Sequence, residues 1–189
     1  MDNRHSPIIS AKPPAVQSGG VLLSHPAELV KLGVKGPKLT QWAQSHGIEL
    51  PFTLYDAVGV GQRGLLVRVG GEEIILECEE NDPWLAKFEK ALDESCPDVY
   101  RIEQQSATIE LSGKYANRVL AQTCGVNFSR EPAARIVYTR VAGASCGIIA
   151  MEKNGQRIYR IWIDYTLTSY LWETLTEIVH DVEFGPVRG

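Results

Sequence analysis

The feature of this sequence that most constrains its fold is an internal repeat in the order of its predicted elements. Gly36 and Gly113, 77 positions apart, each end a predicted strand and precede a predicted helix. At this offset the apolar face of the first helix falls on that of the second, with the i, i+3, i+4 spacing of one helix face. These faces consist of Leu39, Trp42 and Ala43 (with His46) in the first copy, and of Ala116, Val119 and Leu120 (with Thr123) in the second.

A strand, a two-residue turn and a second strand follow each of these helices. The turns are Gly70-Gly71 and Asn154-Gly155, which supply the positive φ angles that tight hairpins require. A second amphipathic helix then closes each copy. It is opened by Asp82 and Pro83 in the first copy and begins near Ser169 in the second. The side chains that we expect these helices to bury are Trp84, Leu85, Phe88, Ala91 and Leu92 in the first copy, and Leu171, Leu175, Ile178 and Val182 in the second.

The repeat predicts an α+β fold of two strand–helix–hairpin–helix units, about residues 28–95 and 100–183, related by a pseudo-twofold axis. Because the amphipathic elements of one copy cannot bury themselves alone, we expect both copies to share one core in a single domain, residues 21–184. Residues 1–20, rich in proline and glycine, are predicted as a flexible N-terminal arm, and residues 185–189 as a loose C-terminus.

Charge and hydropathy argue against two classes of partner. The chain has 19 Lys and Arg against 23 Asp and Glu, a net charge of −4, whereas a nucleic-acid-binding face needs clustered positive charge. No apolar run approaches the roughly 20 residues that span a bilayer, and the N-terminus lacks the apolar stretch of a secretion signal. We therefore expect a cytoplasmic protein that binds neither nucleic acid nor a membrane.

The cysteine, histidine and glycine patterns predict no metal or nucleotide site. The four cysteines include no C-x-x-C pair, and the four histidines have no ligand spacing. Cys78 and Cys146 lie inside apolar runs, which predicts buried thiols. Residues 59–64 match G-x-G-x-x-G, but the aliphatic run that follows indicates a strand, whereas dinucleotide binding requires a helix there. Asp164 follows a predicted strand, where it either contributes to a site or begins an Asx turn.

Three aromatic residues beside the last helix, Tyr165, Tyr170 and Trp172, are candidates for a partner interface. If Leu171 and Leu175 face the core, Trp172 lies about 100° further round the helix and is exposed. Exposed aromatic side chains often anchor partner proteins, so this position predicts a contact with another chain. Packing of Trp172 at the edge of the core is the alternative left open.

Three segments, Leu32–Pro37, Ile102–Ala116 and Tyr170–Leu175, occur in an order and spacing that one known family shares. Together they resemble the gamma subunits of heterotetrameric sarcosine oxidases, which are small members of the glycine-cleavage T-protein (folate-dependent aminomethyltransferase) superfamily. The resemblance covers about residues 28–184. It implies a fold like the duplicated α+β N-terminal region of those aminomethyltransferases.

The function that this resemblance implies is that of a non-catalytic gamma-type subunit. Such a chain stabilises the folate-linked alpha subunit of a flavin-dependent N-methyl amine oxidase or dehydrogenase. The implied partners are the flavoprotein alpha and beta subunits. FAD, FMN, NAD and tetrahydrofolate are implied for the complex and none of them for this chain alone. The superfamily's catalytic Asp motif has no match in this sequence, so the resemblance carries over no catalytic residue.

A second hypothesis is a stand-alone folate-binding or aminomethyltransferase-like one-carbon enzyme. A duplicated fold of this kind leaves a central opening that would admit a pterin. Its predicted lining is Tyr138, Arg140, Arg160 and Trp162. Saturable binding of tetrahydrofolate to the isolated chain distinguishes this hypothesis from the first. A structural dimer with neither role is the third.

Overall fold

The strands of this computed structural model, which describes residues 15–18, 20–94, 96–153 and 155–184, form two sheets of antiparallel strand pairs. In chain order the elements are β1 (Ala15–Ser18), β2 (Val21–Ser24), β3 (Leu29–Lys35), α1 (Leu39–Ser45), β4 (Ala57–Val60), β5 (Gly64–Gly70), β6 (Glu73–Glu79), α2 (Pro83–Asp93), β7 (Tyr100–Glu103), β8 (Ser106–Gly113), α3 (Ala116–Thr123), β9 (Ile136–Val141), β10 (Ala144–Lys153), β11 (Gln156–Asp164) and α4 (Thr168–Phe184).

The chain divides into two compact units, each built on one sheet. The five-stranded unit comprises residues 28–104 and 134–136, with strand order β4-β5-β6-β3-β7. The six-stranded unit comprises the described parts of residues 1–27, 105–133 and 137–189, with strand order β1-β2-β8-β11-β10-β9. No helix among the described residues is both long enough and apolar enough to cross a membrane.

The same succession of elements occurs twice along the chain. β3-α1-β4-β5-β6-α2 in the five-stranded unit corresponds to β8-α3-β9-β10-β11-α4 in the six-stranded unit. The spatial orders β4-β5-β6-β3 and β9-β10-β11-β8 correspond in the same way. The element order therefore agrees with the repeat in the sequence, while the pseudo-twofold axis stays a prediction.

Each sheet contains a strand that lies, in sequence, just before the copy that forms the other sheet. β2 comes before the first copy in sequence but pairs with β8 of the second, with Val21 opposite Gly113. β7 comes before the second copy but pairs with β3 of the first, with Tyr100 opposite Lys35. Each sheet consequently contains at least one strand from outside the stretch of chain that forms its copy.

Two clusters of buried side chains lie one in each unit. Other buried apolar side chains belong to neither cluster, including Leu65, Val67, Ile75, Ile149 and Trp162. A single domain over residues 21–184 with one shared core stays a prediction. In both units the first helix of the copy packs its predicted face inward. Leu39, Trp42 and Ala43 belong to one cluster, and Ala116, Val119 and Leu120 belong to the other. The shared spacing of the two helix faces is thus confirmed, and each face closes the core of its own sheet.

The second helix of the first copy is anchored at its start by a side-chain oxygen. The carboxylate of Asp82 accepts a hydrogen bond from the backbone N–H of Trp84 at 2.9 Å, with Pro83 at the first helical position, as predicted. The predicted side chains Leu85, Phe88 and Ala91 are buried, whereas Trp84 and Leu92 are only partly so. In the last helix Leu171 and Leu175 are buried, Ile178 is half-buried, and the side chain of Val182 lies outside the described part.

Residues 15–18, assigned from the sequence to a flexible arm, form β1 and pair with β2. The physical reason is that β2 pairs with β8 on one side only, so its other edge offers free backbone hydrogen-bonding groups that β1 satisfies. Val16 also packs against the core of the six-stranded unit. The rest of the predicted arm, residues 1–14 and 19, and the predicted loose C-terminus at 185–189 lie outside the described residues.

Candidate functional site

The four side chains predicted to line a pterin pocket lie on one face of the six-stranded sheet, opposite the face that carries the core. Tyr138 and Arg140 are exposed on β9, whereas Arg160 and Trp162 are buried on β11. Since β10 separates these strands, the exposed pair lies about 10 Å from the buried pair. Two cavities of about 270 and 280 Å³ adjoin α3, and both are lined by other residues. A pocket formed by the four stays a prediction.

Arg160 forms an ion pair with Glu110, which lies directly opposite on β8. Its Nε donates a hydrogen bond to Oε1 of Glu110 at 3.0 Å, and its Nη2 lies 2.9 Å from the same oxygen. The exposed fractions of the two side chains are 4% and 16%. A buried charge is tolerated only when it is paired, and Glu110 supplies such a partner for this guanidinium.

The five-stranded unit contains a corresponding buried pair. Nζ of Lys31 on β3 lies 3.3 Å from Oε1 of Glu77, its register partner on β6, and the side chains are 1% and 0% exposed. Sequence reasoning missed both ion pairs. The available signal was a charged residue at the centre of an otherwise apolar strand, as for Lys31 in β3 and Glu77 in β6.

Trp172 is buried, contrary to the exposed position predicted for it. The buried face of α4 includes Trp172 and Val179 together with the predicted Leu171 and Leu175. These four residues occupy positions i, i+1, i+4 and i+8 of the helix, which lie on one side of it. The centre of that side falls between Leu171 and Trp172, so the buried face is rotated toward Trp172 from the predicted position. Trp172 therefore packs on the core of the six-stranded unit, which is the alternative that the sequence left open.

The two tyrosines proposed with Trp172 differ in exposure. Tyr165 is half-buried and packs against the same core, and its burial raises the pKa of its hydroxyl above the ordinary value. Tyr170 is 50% exposed, and its hydroxyl donates a hydrogen bond to the carbonyl oxygen of Ala142 at 2.7 Å. Of the three, Tyr170 alone keeps a largely exposed ring, and an interface at these residues remains a prediction.

Asp164 caps the short 3₁₀ turn Tyr165–Leu167 that leads into α4. Its Oδ1 accepts hydrogen bonds from the backbone N–H of Thr166 at 2.8 Å and from the hydroxyl of Thr166 at 2.5 Å. These hydrogen bonds stabilise the charged form and hold the pKa of the carboxyl below its ordinary value. Of the two interpretations of Asp164, the structure therefore favours the Asx turn.

Asp164→Ala is expected to lower the free energy of unfolding by about 1 kcal/mol at neutral pH, the usual cost of a lost cap. Because the folded-state pKa is lowered, this contribution is complete above the ordinary aspartate pKa and is lost as the pH falls through the folded-state value. Urea unfolding of both proteins from neutral to acid pH measures the difference. Asp181→Ala, which removes an exposed carboxylate on α4, is the matched control, and an equal loss there would contradict a capping role.

The thiols of Cys78 and Cys146 are buried, as predicted, and burial raises the pKa of each to about 12. Both are consequently protonated at neutral pH and are poor nucleophiles. No group of three His, Cys, Asp or Glu within the described ranges is placed to hold a metal ion.

The most exposed apolar side chain of the five-stranded unit, that of Phe52, lies on the connection from α1 to β4. We call residues 51–56 the Phe52 loop. Phe52 is 96% exposed, and Leu54 and Tyr55 are each 39% exposed. Val58, at the start of the adjoining edge strand β4, is also 39% exposed. A phenylalanine this exposed loses all the free energy that burial of its ring would provide.

Two arginines hold the backbone of the Phe52 loop. Arg68 on β5 donates hydrogen bonds to the carbonyl oxygens of Pro51 at 3.3 Å and Phe52 at 3.2 Å, and to that of Gly71 at 2.9 Å. Arg135 donates to the carbonyl oxygen of Leu54 at 3.2 Å, and its Nε pairs with Asp56 at 3.2 Å. The backbone of the loop is thereby fixed while its apolar side chains remain exposed.

Tyr55 lies at the bend of this loop, with a φ of +72° that L-residues other than glycine seldom adopt. Its N–H donates to the carbonyl oxygen of Arg68 at 2.7 Å, and its own carbonyl oxygen accepts from the N–H of Ile136 at 2.8 Å. A strained backbone conformation of this kind persists only where the surrounding contacts hold it in place, and such conformations are frequent at binding sites. Sequence reasoning missed this loop, although five consecutive residues, Pro51 to Tyr55, fit neither helical nor strand periodicity.

The sequence matches no protein-family model and no curated protein. Its fold is similar to a chain of the heterotetrameric sarcosine oxidase from Corynebacterium sp. U-96, solved in complex with pyrrole 2-carboxylate. The two share 20% identity and a TM-score of 0.74 over 94% of this chain and 95% of that one. Glycine cleavage system aminomethyltransferase T from Bartonella henselae gives 16% identity and a TM-score of 0.59 over 81% of this chain. The present chain covers 44% of that protein's length. These likenesses confirm the α+β class and show a shared fold.

Proposed function

We propose that this chain is a non-catalytic, gamma-type subunit of a heterotetrameric, flavin-dependent N-methyl amine oxidase or dehydrogenase. In that complex it stabilises a large subunit with a folate-linked, aminomethyltransferase-like part. FAD, FMN, NAD and tetrahydrofolate belong to the complex and are carried by its other chains. The reaction of the complex demethylates an N-methyl amine and passes the one-carbon unit to tetrahydrofolate.

The coverage of the structural likenesses is the observation that carries this proposal. The chain corresponds end to end with one chain of a heterotetrameric oxidase, of which it covers 95%. It covers 44% of the aminomethyltransferase, so more than half of that enzyme has no counterpart in it. The likeness therefore extends over nearly all of a subunit of a larger assembly and over less than half of the transferase.

The state of the predicted pocket residues also supports an accessory role over a stand-alone folate-binding enzyme. A pterin site at these residues needs Arg160 and Trp162 to face the ligand, and the side chains of both are buried. The guanidinium of Arg160 is already paired with Glu110. Binding a ligand there would require this ion pair to open, which costs several kcal/mol for a buried pair, on the order of 3–5.

We further propose that the two copies arose by duplication and are related by a pseudo-twofold axis. The matched strand orders β4-β5-β6-β3 and β9-β10-β11-β8 support this, as does the reciprocal pairing of β2 and β7. Gly36 and Gly113, which correspond in the repeat, also have corresponding surroundings, with positive φ angles of 151° and 102°.

Affinity purification of the tagged full-length chain from its native organism tests the proposed function. We expect larger flavoprotein chains to co-purify in a fixed ratio, with flavin absorbance in the eluate and sarcosine-dependent oxidase activity. The isolated 20.9 kDa chain should have no such activity. Mass spectrometry of the eluate identifies the partners.

Two results would overturn this function. A colourless chain that purifies alone contradicts the subunit assignment, and demethylation of sarcosine by the isolated chain contradicts the non-catalytic one. Saturable tetrahydrofolate binding by the isolated chain, lost in Arg160→Ala, would instead establish the folate-binding alternative. The matched control is Arg157→Ala, which changes another arginine of β11.

A further inference from the structure

We propose that the Phe52 loop is the anchor by which this chain docks on the large flavoprotein subunit, with Phe52 entering an apolar pocket that has an acidic rim. This inference rests on the proposed function and assigns the surface through which that function is exerted. The argument depends on the exposure of Phe52, the fixed backbone of the loop and the charge beside it.

Exposure supplies the first step. Phe52 is 96% exposed, more than any other large apolar side chain among the described residues. Interface hot spots are few, are often aromatic, and lie where the partner excludes water completely. Leu54, Tyr55 and Val58 lie close by in sequence and are each 39% exposed, so the apolar surface continues beyond the single ring. A partner pocket that takes Phe52 therefore meets further apolar surface around it.

The fixed backbone supplies the second step. An exposed loop held only by its ends loses conformational entropy when it binds, and this loss weakens the affinity. In the Phe52 loop the carbonyl oxygens of Pro51, Phe52 and Leu54 are already held by Arg68 and Arg135. The loop is consequently preorganised, and the part of the binding free energy that ordering would consume is retained.

Charge supplies the third step and specifies the partner's chemistry. Asp56 neutralises Arg135 at 3.2 Å, whereas Arg68 donates to three carbonyl oxygens and pairs with no carboxylate among the described residues. Arg68 on β5 thus places one guanidinium, without a carboxylate partner among those residues, 3.2 Å from the carbonyl oxygen of Phe52. An acidic rim around an apolar pocket complements that combination, because charge complementarity at an interface rim sets specificity and association rate.

Titration of the flavoprotein subunits onto the immobilised full-length chain tests the docking site. The subunits are those identified by the affinity purification, prepared from a strain that lacks the gene for this chain. Phe52→Ser should weaken binding roughly 30-fold or more, the effect of losing a hot spot of about 2 kcal/mol at 1.4 kcal/mol per tenfold. Since this side chain is 96% exposed, the variant should keep the thermal stability of the wild type.

Two further variants separate the steps of the argument. Arg68→Lys keeps the positive charge but loses the guanidinium that joins three carbonyl oxygens, so we expect roughly tenfold weaker binding through loss of preorganisation. Tyr100→Ser is the matched control, because it removes a 60% exposed aromatic side chain from β7, elsewhere in the same unit. Its affinity should equal that of the wild type. Binding of the wild type should also weaken as salt is added.

The outcomes distinguish the docking site from the proposed function. Equal affinities for the wild type and Phe52→Ser overturn the docking site while leaving the subunit assignment intact. Absence of any flavoprotein partner overturns both. A wild-type chain that dimerises alone and becomes monomeric in Phe52→Ser assigns the loop to contacts between copies and overturns the heteromeric docking.

Discussion

Gly36→Ala and Gly113→Ala should each destabilise the chain by roughly 3–5 kcal/mol, because steric overlap and backbone strain, each costing about 1–3 kcal/mol, act together at both sites. Most point substitutions cost less, so either change is expected to abolish cooperative folding or to lower its midpoint sharply. The two glycines correspond in the sequence repeat, and the effects should be of similar size.

The overlap at both positions is with backbone that cannot move aside cheaply. A Cβ on Gly36 would lie 2.0 Å from the carbonyl oxygen of Asp98, and a Cβ on Gly113 would lie 2.2 Å from that of Gly20. The carbonyl of Asp98 comes just before β7, which pairs with β3, and that of Gly20 comes just before β2, which pairs with β8. Substitution would therefore push away the strand that extends each sheet. Real Cβ atoms essentially never approach another heavy atom within 3.0 Å.

Two glycine controls separate overlap from strain. Gly47 has a φ of +60°, and a Cβ at this position would have no other atom within 4 Å, so Gly47→Ala should cost only the left-handed backbone strain of about 1–2 kcal/mol. Gly71 has open space and no positive φ, so Gly71→Ala should be close to neutral. Urea unfolding followed by far-ultraviolet circular dichroism measures all four variants. A loss at Gly36 no larger than that at Gly47 would contradict the steric argument.

Glu77→Gln should lower the free energy of unfolding by roughly 3–5 kcal/mol, the cost of removing one charge of a buried ion pair. Lys31 and Glu77 are 1% and 0% exposed, so neither charge has access to water. The neutral amide accepts a hydrogen bond from Lys31 but does not compensate the positive charge, and desolvation of that charge is the source of the loss.

The same two strands provide the matched control. Lys35 and Glu73 are also register partners on β3 and β6, 3.1 Å apart, but their side chains are 56% and 27% exposed. Glu73→Gln should cost no more than about 1 kcal/mol, because water screens an exposed pair.

A double substitution tests the interpretation of the buried pair. Lys31→Met with Glu77→Leu should recover most of the stability, since apolar side chains often replace a buried ion pair without loss. Equal losses for Glu73→Gln and Glu77→Gln, or a double variant as unstable as Glu77→Gln alone, would show that burial of the charge is not the cause.

Much of the local structure was predictable because its signals are short-range. Helix faces at i, i+3 and i+4 and the Asp82 cap depend on residues within one turn of a helix. The first hairpin turn was placed one residue too early, because Gly70 still belongs to β5 and pairs with Glu73, so the turn is Gly71-Glu72, and neither glycine takes the positive φ that was expected. The second predicted turn includes Asn154, which lies outside the described residues. Trp172 marks the limit of this reasoning. Its distance round the helix from Leu171 follows from helical geometry, but the rotation of α4 on its sheet decides whether that side is buried.

The candidate site was not predictable in the same way. Arg135 reaches the carbonyl oxygen of Leu54 across 81 positions of sequence, and Arg160 reaches Glu110 across 50. Neither pairing leaves a spacing that a single sequence reveals. A loop of apolar residues such as 51–55 is also indistinguishable, in sequence, from a loop that folds inward. Its exposure is known only once the contacts of Arg68 and Arg135 fix the backbone.

The sequence by itself determined the repeated order of elements, the buried faces of α1 and α3 and the α+β class, because periodicity and turn chemistry are properties of neighbouring residues. The tertiary structure alone decided that β2 and β7 pair with the opposite copy, that each unit contains a cluster of buried side chains and that charges are buried in both sheets. Strand pairing depends on which strand edge, far away in sequence, has free backbone hydrogen-bonding groups and a register that places apolar side chains on the buried face. That choice is made by the free energy of the whole sheet, not by any local segment.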